Sequence, residues 1–455
     1  MALQATLFPL CEKPLPGRAE SEKSPVSLRN PAFMENKLLP VHRWVPWIAG
    51  FSAGFIRDCF TRFLPHRTNG KTPRILDPFA GVGTTLVEAV HQGFDAVGCE
   101  INPYAALACR VKLDALRLDA DEILRHCEAY LRDARKPGSV SCNGIPPGFR
   151  SRIDFFSPRV QQQVSRFFRF LSGIQKPEVA EVFRLAFGAV MVSFSNYTYE
   201  PSLGTRPGAG KPLIKDADVA SVIAAKLREI AGDIRALGAS FDGSGIEPGS
   251  GIVHVRNFME SESQIGHESA DLMVTSPPYL NNYHYIRNTR PQLFWLSFVD
   301  LPRDLKEIEN ANLGKYWQTV RDKQPVGLQF EHEELSAILD RLREIRTDKK
   351  AYGGPGWANY VATYFNDSHR FLSTLQRLLK PASCGVIVVG NSIIQGQEVK
   401  VAEILAEMAL WLGFRSAQVE CVRSKRVGSS ITTSTVRKGK RSKAVLSESI
   451  VILKK

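Results

Sequence analysis

Short apolar runs, each followed by helical or irregular material, dominate the pattern of this chain. Most of these runs span four or five residues and end in a polar or turn residue. This alternation predicts an α/β protein with a doubly wound, mostly parallel sheet. The predicted strands cover residues 74–77, 96–100, 252–255, 272–275, 386–389 and 450–453.

The spacing of these strands is uneven and predicts two inserted units. The second strand ends at residue 100 and the third begins at residue 252, whereas a crossover helix needs only about a dozen residues. Apolar residues with a period near 3.6 predict helices in both insertions. The predicted helices cover residues 160–171, 177–194, 219–237 and 331–346. We expect the insertions to serve substrate recognition, with simple packing as the alternative.

Composition limits the class of protein. The chain has 455 residues, 44% of them hydrophobic and 23% charged, which is typical of a soluble globular protein with two or three units. An apolar run long enough to span a membrane and a secretion signal are both absent from the sequence, so we expect a cytoplasmic protein with no membrane partner. Its eight cysteines form no C-x-x-C pair, which argues against a metal site or a disulfide framework. The net charge of +13 favours a polyanionic partner.

A glycine-rich turn follows the first strand. Residues 75–89 have the sequence ILDPFAGVGTTLVEA, in which Gly81 and Gly83 allow close approach of a ligand to the backbone. The helix that begins near Thr84 offers free N–H groups, so a nucleotide-like ligand is indicated. A dinucleotide site would have a third glycine where Leu86 stands, and a P-loop would have a G-K-[ST] sequence that is absent here. Glu100, at the end of the second strand, is the predicted acceptor for two ribose hydroxyls.

The fourth strand ends in a second motif, Ser276-Pro277-Pro278-Tyr279. An amino group on a nucleobase is a poor nucleophile because its lone pair is delocalised into the ring. The Ser276 hydroxyl and the Pro277 carbonyl are predicted to accept the N–H groups of such an amine, and the two prolines hold these acceptors in place. Tyr279 offers a ring on which an extruded base can stack.

Together, D-P-F-A-G-V-G-T-T at residues 77–85 and T-S-P-P-Y at residues 275–279 resemble the motifs of the DNA amino-methyltransferases. The resemblance implies a seven-stranded Rossmann-like methyltransferase sheet, S-adenosyl-L-methionine as cofactor, and direct in-line transfer to a base flipped out of double-stranded DNA. Members with S-P-P-Y usually act on cytosine N4, whereas D-P-P-Y or N-P-P-[YFW] is typical of adenine N6. The cofactor contacts that the turn, the resemblance and the strand ends imply are Phe51, Ser52, Asp77, Phe79, Gly81, Gly83, Thr84, Thr85, Glu100, Asn102 and Asn257.

The resemblance covers the sheet and leaves the insertions unassigned. We predict an N-terminal arm over residues 1–40 and a catalytic unit over 41–115, 250–281 and 357–455. The insertion at 116–249 is expected to recognise the target, and the insertion at 282–356 to contact DNA. Residues 423–443 carry eight basic residues and no acid, which predicts either a phosphate clamp or a solvated hairpin.

Several alternatives stay open. The enzyme could instead methylate adenine N6, or guanosine N2 in RNA, or the chain could be an inactive nucleic-acid-binding protein of the same fold. Methylation at cytosine C5 is disfavoured because it requires a Pro-Cys nucleophile and the chain has no Pro-Cys pair. A role for His284 as general base is also disfavoured, since the methylated nitrogen can lose its proton to solvent. A restriction endonuclease is an expected partner, and the oligomeric state is left open.

Overall fold

A seven-stranded sheet forms the centre of the protein in a computed structural model. The structure describes residues 28–29, 31, 33–47, 50, 52–64, 71–138, 144–199, 202–280, 285–321, 323–345, 356–426 and 445–455. The strands are β1 Arg74–Asp77, β2 Asp95–Cys99, β3 Tyr197–Tyr199, β4 Leu203–Thr205, β5 Gly251–His254, β6 Ala270–Thr275, β7 Leu379–Gly390, β8 Ser392–Ile394, β9 Gln397–Val399, β10 Ser416–Arg426 and β11 Val445–Lys454.

The order of the strands in the main sheet is β10-β11-β7-β6-β1-β2-β5. The five strands from β7 to β5 are parallel, β11 is antiparallel to β7, and β10 pairs antiparallel with β11 at the edge of the sheet. The predicted fold class, a doubly wound, mostly parallel seven-stranded Rossmann-like sheet with two largely helical insertions, is confirmed. The strands after β1 are added on one side of it up to β5, and those from β6 onward on its other side, so the topological switch point lies between β1 and β6. Ligands of such sheets bind at the carboxyl ends of the strands at this point.

Helices cover the sheet and form most of the two insertions. They are α1 Ala53–Phe63, α2 Thr84–His91, α3 Pro103–Leu113, α4 Ala120–Ala134, α5 Pro158–Ser172, α6 Pro177–Val190, α7 Val219–Asp242, α8 Glu262–Ile265, α9 Tyr285–Trp295, α10 Pro302–Ala311, α11 Trp317–Val320, α12 Glu333–Glu344, α13 Gly356–Leu378 and α14 Val401–Trp411. Short 3-10 helices lie at Phe33–Lys37, His42–Trp44, Ala115–Arg117, Met191–Phe194, Pro207–Ala209 and Phe258–Glu260. None of the helices in the described ranges has both the length and the apolar character needed to cross a membrane.

Both faces of the sheet are buried, which explains why its central strands are apolar at consecutive positions. Ile75 packs on one face with residues of α1 and α2. Its neighbour Leu76 points to the other face, where α13 and α14 form a second core. The same alternation recurs along β7 and β11.

The two insertions occupy different places. Helices α4 to α7 form a largely separate core that extends to α3 and α9. Helices α11 and α12 instead pack on α13. The predicted helices at 160–171 and 219–237 form within α5 and α7, and the one at 331–346 forms as α12. The helix predicted for 177–194 ends as an α-helix at Val190 and continues as a 3-10 turn.

Candidate active site

A cleft of about 880 Å³ opens at the carboxyl ends of β1, β2, β5 and β6. The structure brings several of the predicted site residues together here. Those that line the cleft are Phe79, Gly81, Thr84, Glu100, Asn102, Asn257, Ser276 and Pro278.

The glycine-rich turn forms the floor of the cleft. Gly81 and Gly83 have φ values of +52° and +87°, in the left-handed region that favours glycine. A Cβ at Gly83 would lie 2.6 Å from the Cys109 Sγ, so this glycine lets the turn pack against α3. A Cβ at Gly81 would meet nothing closer than the Trp47 Nε1 at 3.5 Å. The backbone at Gly81 is therefore open to a ligand in the cleft.

Asp77 lies behind the turn rather than in the lining of the cleft. Its Oδ1 accepts hydrogen bonds from the Thr275 hydroxyl at 2.6 Å and from the Phe79 N–H at 3.1 Å. Burial raises its pKa to about 6, an effect that the hydrogen bonds from Thr275 and Phe79 oppose. Because Thr275 directly precedes the serine of the second motif, Asp77 joins the two motifs. Gly83 and the buried Thr85 likewise lie outside the lining.

Glu100 follows β2 and holds the turn in place. Its Oε2 accepts the Gly81 N–H at 2.8 Å and its Oε1 accepts the Asn102 N–H at 2.7 Å. Burial raises the pKa of Glu100 to about 7, and the nearby Asp77 adds to this increase. An ionised carboxylate has about four acceptor sites, so both oxygens keep capacity for a ligand hydroxyl.

Asn102 and Asn257 both use their side chains within the protein. The Asn102 Oδ1 caps α3 by accepting the Tyr104 and Ala105 N–H groups, and its Nδ2 donates to the Thr289 hydroxyl at 2.8 Å. The Asn257 Oδ1 accepts the Met259 N–H at 3.0 Å, and its Nδ2 donates to the Ala311 carbonyl at 3.2 Å. The amide of Asn257 thus fixes a segment of the second insertion at the cleft.

The S-P-P-Y loop divides its residues between two environments. Ser276 and Pro278 line the cleft, whereas Pro277 and Tyr279 do not. The Tyr279 ring lies against Gly390 at the end of β7, where an added Cβ would be 3.2 Å from the ring. Its hydroxyl lies 3.5 Å from the Glu448 Oε1 on β11, and burial raises the tyrosine pKa well above its usual value.

The segment that precedes α1 reaches the cleft with other residues than those predicted. Ser52 caps α1 by accepting the Phe55 N–H, and its hydroxyl donates to the Glu35 Oε2 at 3.1 Å. It is fully buried and does not line the cleft. Phe51 lies outside the described residues. Trp47 and Gly50 of the same segment do line the cleft.

The sequence predictions missed much of the outer wall. Trp47 stacks on Tyr285 with ring centroids 6.3 Å apart and an interplanar angle of 19°. Tyr285 belongs to the aromatic and basic stretch that directly follows the S-P-P-Y loop, and this proximity is a signal for its position. The lining residues that were not predicted as site residues include Trp47, Gly50, Arg256, Tyr285, Ile286, Ala311, Asn312 and Leu313.

The predicted basic segment and the residues directly after the S-P-P-Y loop fall largely outside the described residues. Of the basic segment at 423–443, the structure describes only Arg423 to Arg426, which extend β10 rather than form part of a loop. Arg423 forms an ion pair with Glu448 at 3.3 Å. Tyr283 and His284, which follow the S-P-P-Y loop, are also outside the described residues.

The chain is similar in sequence to several type II methyltransferases. It is 25% identical over 421 residues to the type II methyltransferase M.AvaI of Nostoc sp. strain PCC 7120, which covers 85% of this chain and 82% of that protein. It is 21% identical to the type II methyltransferase M.BsoBI of Geobacillus stearothermophilus, covering 93% and 87% of the two chains. It is also 21% identical to the type II methyltransferase M.MvaI of Kocuria varians, covering 76% of each.

Among solved structures, the rRNA methyltransferase aviRa from Streptomyces viridochromogenes matches with a TM-score of 0.28 and 9% identity, over 90% of this chain and 87% of that one. No protein-family model matches the chain. The sequence relatives support a methyltransferase that takes its methyl group from a donor molecule.

Proposed function

We propose that this protein is a DNA methyltransferase that transfers a methyl group from S-adenosylmethionine to the exocyclic N4 amino group of cytosine. The observation that carries the proposal is that Ser276 and Pro278 line the same cleft as Gly81 and Glu100. A group that can bind an amine and a turn that can bind a nucleotide-like cofactor are therefore within reach of one another.

The residues of the cleft fit this cofactor. The open backbone at Gly81 leaves room for a ligand at the turn. Glu100, at the neighbouring strand end, offers two oxygens to the ribose hydroxyls. Phe258 and Leu313 add buried apolar surface on the side of β5. When bound there, S-adenosylmethionine supplies an electrophilic methyl group.

The loop after β6 prepares the amine for transfer. The Ser276 hydroxyl accepts one N–H of the amino group, and the Pro277 carbonyl accepts the other, so that the nitrogen lone pair is turned away from the base ring. The Asp77–Thr275 hydrogen bond of 2.6 Å fixes the distance between this loop and the turn. The lone pair would then face the methyl group of a cofactor held by the turn and Glu100, and solvent would accept the surplus proton on nitrogen.

Charge and relationship support DNA as the substrate. The net charge of +13 favours binding to a polyanion. The relatives are type II methyltransferases, which agrees with the resemblance of both motifs to those of DNA amino-methyltransferases. Cytosine N4 is preferred over adenine N6 because the motif begins with Ser276. The cytoplasmic location and the endonuclease partner stay predictions.

Analysis of modified nucleosides tests the proposal. The chain is expressed in a host that lacks DNA methylation, and the host DNA and RNA are digested to nucleosides for mass spectrometry. We expect N4-methylcytosine in the DNA. N6-methyladenine would replace the N4 assignment with adenine, and a methylated base in RNA alone would contradict the DNA substrate.

Substitutions in the loop test the mechanism. Ser276→Ala and Tyr279→Ala should each lower methyl transfer by at least about a hundredfold while S-adenosylhomocysteine still binds. The matched control is Ser269→Ala, since Ser269 lies just before β6, at the end of the strand away from the cleft, and bonds to the Ile265 and Gly266 carbonyls. Full activity of either loop variant would refute the mechanism.

A further inference from the structure

The second insertion supplies a wall of the cleft through one short segment. Ala311, Asn312 and Leu313 follow α10 and line the cleft beside Asn257 and Phe258. The segment therefore limits what the cleft can hold on the side of β5.

The backbone of this segment is fixed by contacts on both sides. The Asn257 Nδ2 donates to the Ala311 carbonyl at 3.2 Å, and the Lys315 Nζ donates to the Asn312 carbonyl at 2.9 Å. The Gly314 N–H donates to the Asp367 Oδ2 at 3.1 Å. Gly314 has a φ of +66°, so the chain makes a turn here that favours glycine. The segment is thus a rigid part of the site.

Within this rigid segment, the Asn312 side chain is left with an unused donor. Asn312 is only 6% exposed, and its Nδ2 has no hydrogen-bond partner within the described part of the chain. A buried donor without a partner costs about 1–3 kcal/mol, so such groups usually receive a partner from a ligand or water. The cleft that Asn312 lines is where that partner would bind.

The order of the strands indicates which part of the cofactor lies beside Asn312. The S-P-P-Y loop follows β6, the glycine turn follows β1, Glu100 follows β2 and Asn257 follows β5, and these four strands are adjacent in that order. A cofactor with its reacting methyl near Ser276 and its ribose at Glu100 extends its adenine towards β5. Phe258 and Leu313, which are both buried, give that end of the cleft an apolar surface.

We propose that Asn312 donates a hydrogen bond to a ring nitrogen of the cofactor's adenine, so that the second insertion is part of the cofactor site. This inference rests on the proposed function. It makes Asn312 a specificity residue for adenine rather than a residue that contacts the target base.

Calorimetry with S-adenosylhomocysteine tests this role. Asn312→Ala should weaken binding about tenfold, and Asn312→Asp should weaken it further because an acceptor would face an acceptor. The matched control is Asn310→Ala, since Asn310 is an exposed asparagine of the same helix end that does not line the cleft. Its affinity should equal that of the wild type.

Analogues of the ligand make the test independent of how well the variants fold. Among the 1-deaza, 3-deaza and 7-deaza forms of S-adenosylhomocysteine, one should bind the wild type about tenfold more weakly, and Asn312→Ala should not weaken it further. Equal affinity of the wild type for all three and for the parent ligand would overturn the proposal. A loss of DNA affinity in Asn312→Ala with unchanged S-adenosylhomocysteine binding would assign the residue to the nucleic acid instead. A wild type that binds no S-adenosylhomocysteine would refute the proposed function itself.

Discussion

The two insertions differ in how they reach the site. The first, at 116–249, is the longer, yet none of its described residues lines the cleft. The second, at 282–356, contributes Tyr285, Ile286 and the segment from Ala311 to Leu313. From its length alone, the first insertion would have been expected to lie closer to the cleft.

The first insertion affects the site indirectly, through contacts with the segment that precedes α1. Asp233 of α7 is buried and accepts hydrogen bonds from the Val41 N–H at 3.0 Å and the Trp44 Nε1 at 2.9 Å. It also accepts a hydrogen bond from Arg43. These contacts hold the segment that carries Trp47 into the cleft. The difference teaches that one insertion fixes a segment of the catalytic unit, whereas the other forms part of the wall.

The largest expected effect comes from Asp233. Asp233→Ala should lower the free energy of unfolding by about 3 kcal/mol, because it leaves two buried N–H groups and the partly exposed Arg43 guanidinium without their acceptor. Urea-induced unfolding measures this change. The variant should also bind S-adenosylhomocysteine more weakly, since Trp47 loses its support.

Arg235→Ala is the matched control on the same helix. Arg235 is exposed and pairs with Asp121 at the surface, so its removal should cost less than about 0.5 kcal/mol. Equal stability of the two variants would show that α7 does not hold the segment at 41–47. The first insertion would then have no demonstrated effect on the cleft.

The next prediction compares an aromatic residue from each insertion. Tyr285→Ala should weaken S-adenosylhomocysteine binding about tenfold, because the cleft loses a ring that stacks on Trp47. Tyr199 of the first insertion donates to the Asn288 carbonyl at 2.9 Å and lies outside the lining of the cleft. Tyr199→Ala should lower stability and leave the affinity within about twofold of the wild type. The reverse result in calorimetry would exchange the roles of the two insertions.

The sheet was largely predictable because its strands are buried on both faces. Strands β1, β6 and β11 carry continuous apolar runs, and these runs predicted them. Strand β10 was missed because it is an edge strand on which apolar and polar residues alternate, as at Ala417, Gln418 and Val419.

The inner part of the cleft was predictable for a different reason. Gly81, Glu100 and Ser276 stand at strand ends within short motifs, so the parallel sheet brings them together whatever the insertions do. The outer wall of the cleft was not predictable, because Asn312 reaches the cleft only through the packing of the whole second insertion. Asp77 and Ser52 were predicted to contact the cofactor, but their side chains form hydrogen bonds with other residues of the protein.

The pH dependence of cofactor affinity separates the contribution of the sheet to binding from the contribution of both insertions. Burial raises the pKa of Glu100 from 4.5 to about 7. Ribose hydroxyls donate to the ionised form, so affinity for S-adenosylhomocysteine should rise by up to about tenfold between pH 6 and pH 8. The stability of the free protein should change in the opposite sense, since a raised pKa stabilises the fold below pH 4.5 and that contribution is lost as the pH rises through 7.

Two variants check the origin of this pH dependence in calorimetry. Glu100→Gln cannot ionise and should bind with little dependence on pH over the same range. Tyr285→Ala should bind more weakly at every pH but keep the slope of the wild type, because Glu100 is held by the sheet and its turn. A slope that persists in Glu100→Gln would mean that another group, such as Asp77, controls the binding.

The smallest expected effect concerns a side of the site that is formed by strands β7 and β11. The Tyr279 ring packs on Gly390, and a Cβ there would lie 3.2 Å from the ring, so Gly390→Ala should displace the ring by a few tenths of an ångström. We expect kcat to fall about threefold with unchanged cofactor affinity. Gly385→Ala, on the same strand, is the control, since its Cβ would meet the flexible end of Met273 at 3.1 Å. An equal loss of kcat in both variants would point to a general disturbance of β7, and a change in cofactor affinity in Gly390→Ala alone would mean that Tyr279 belongs with the wall that the second insertion forms.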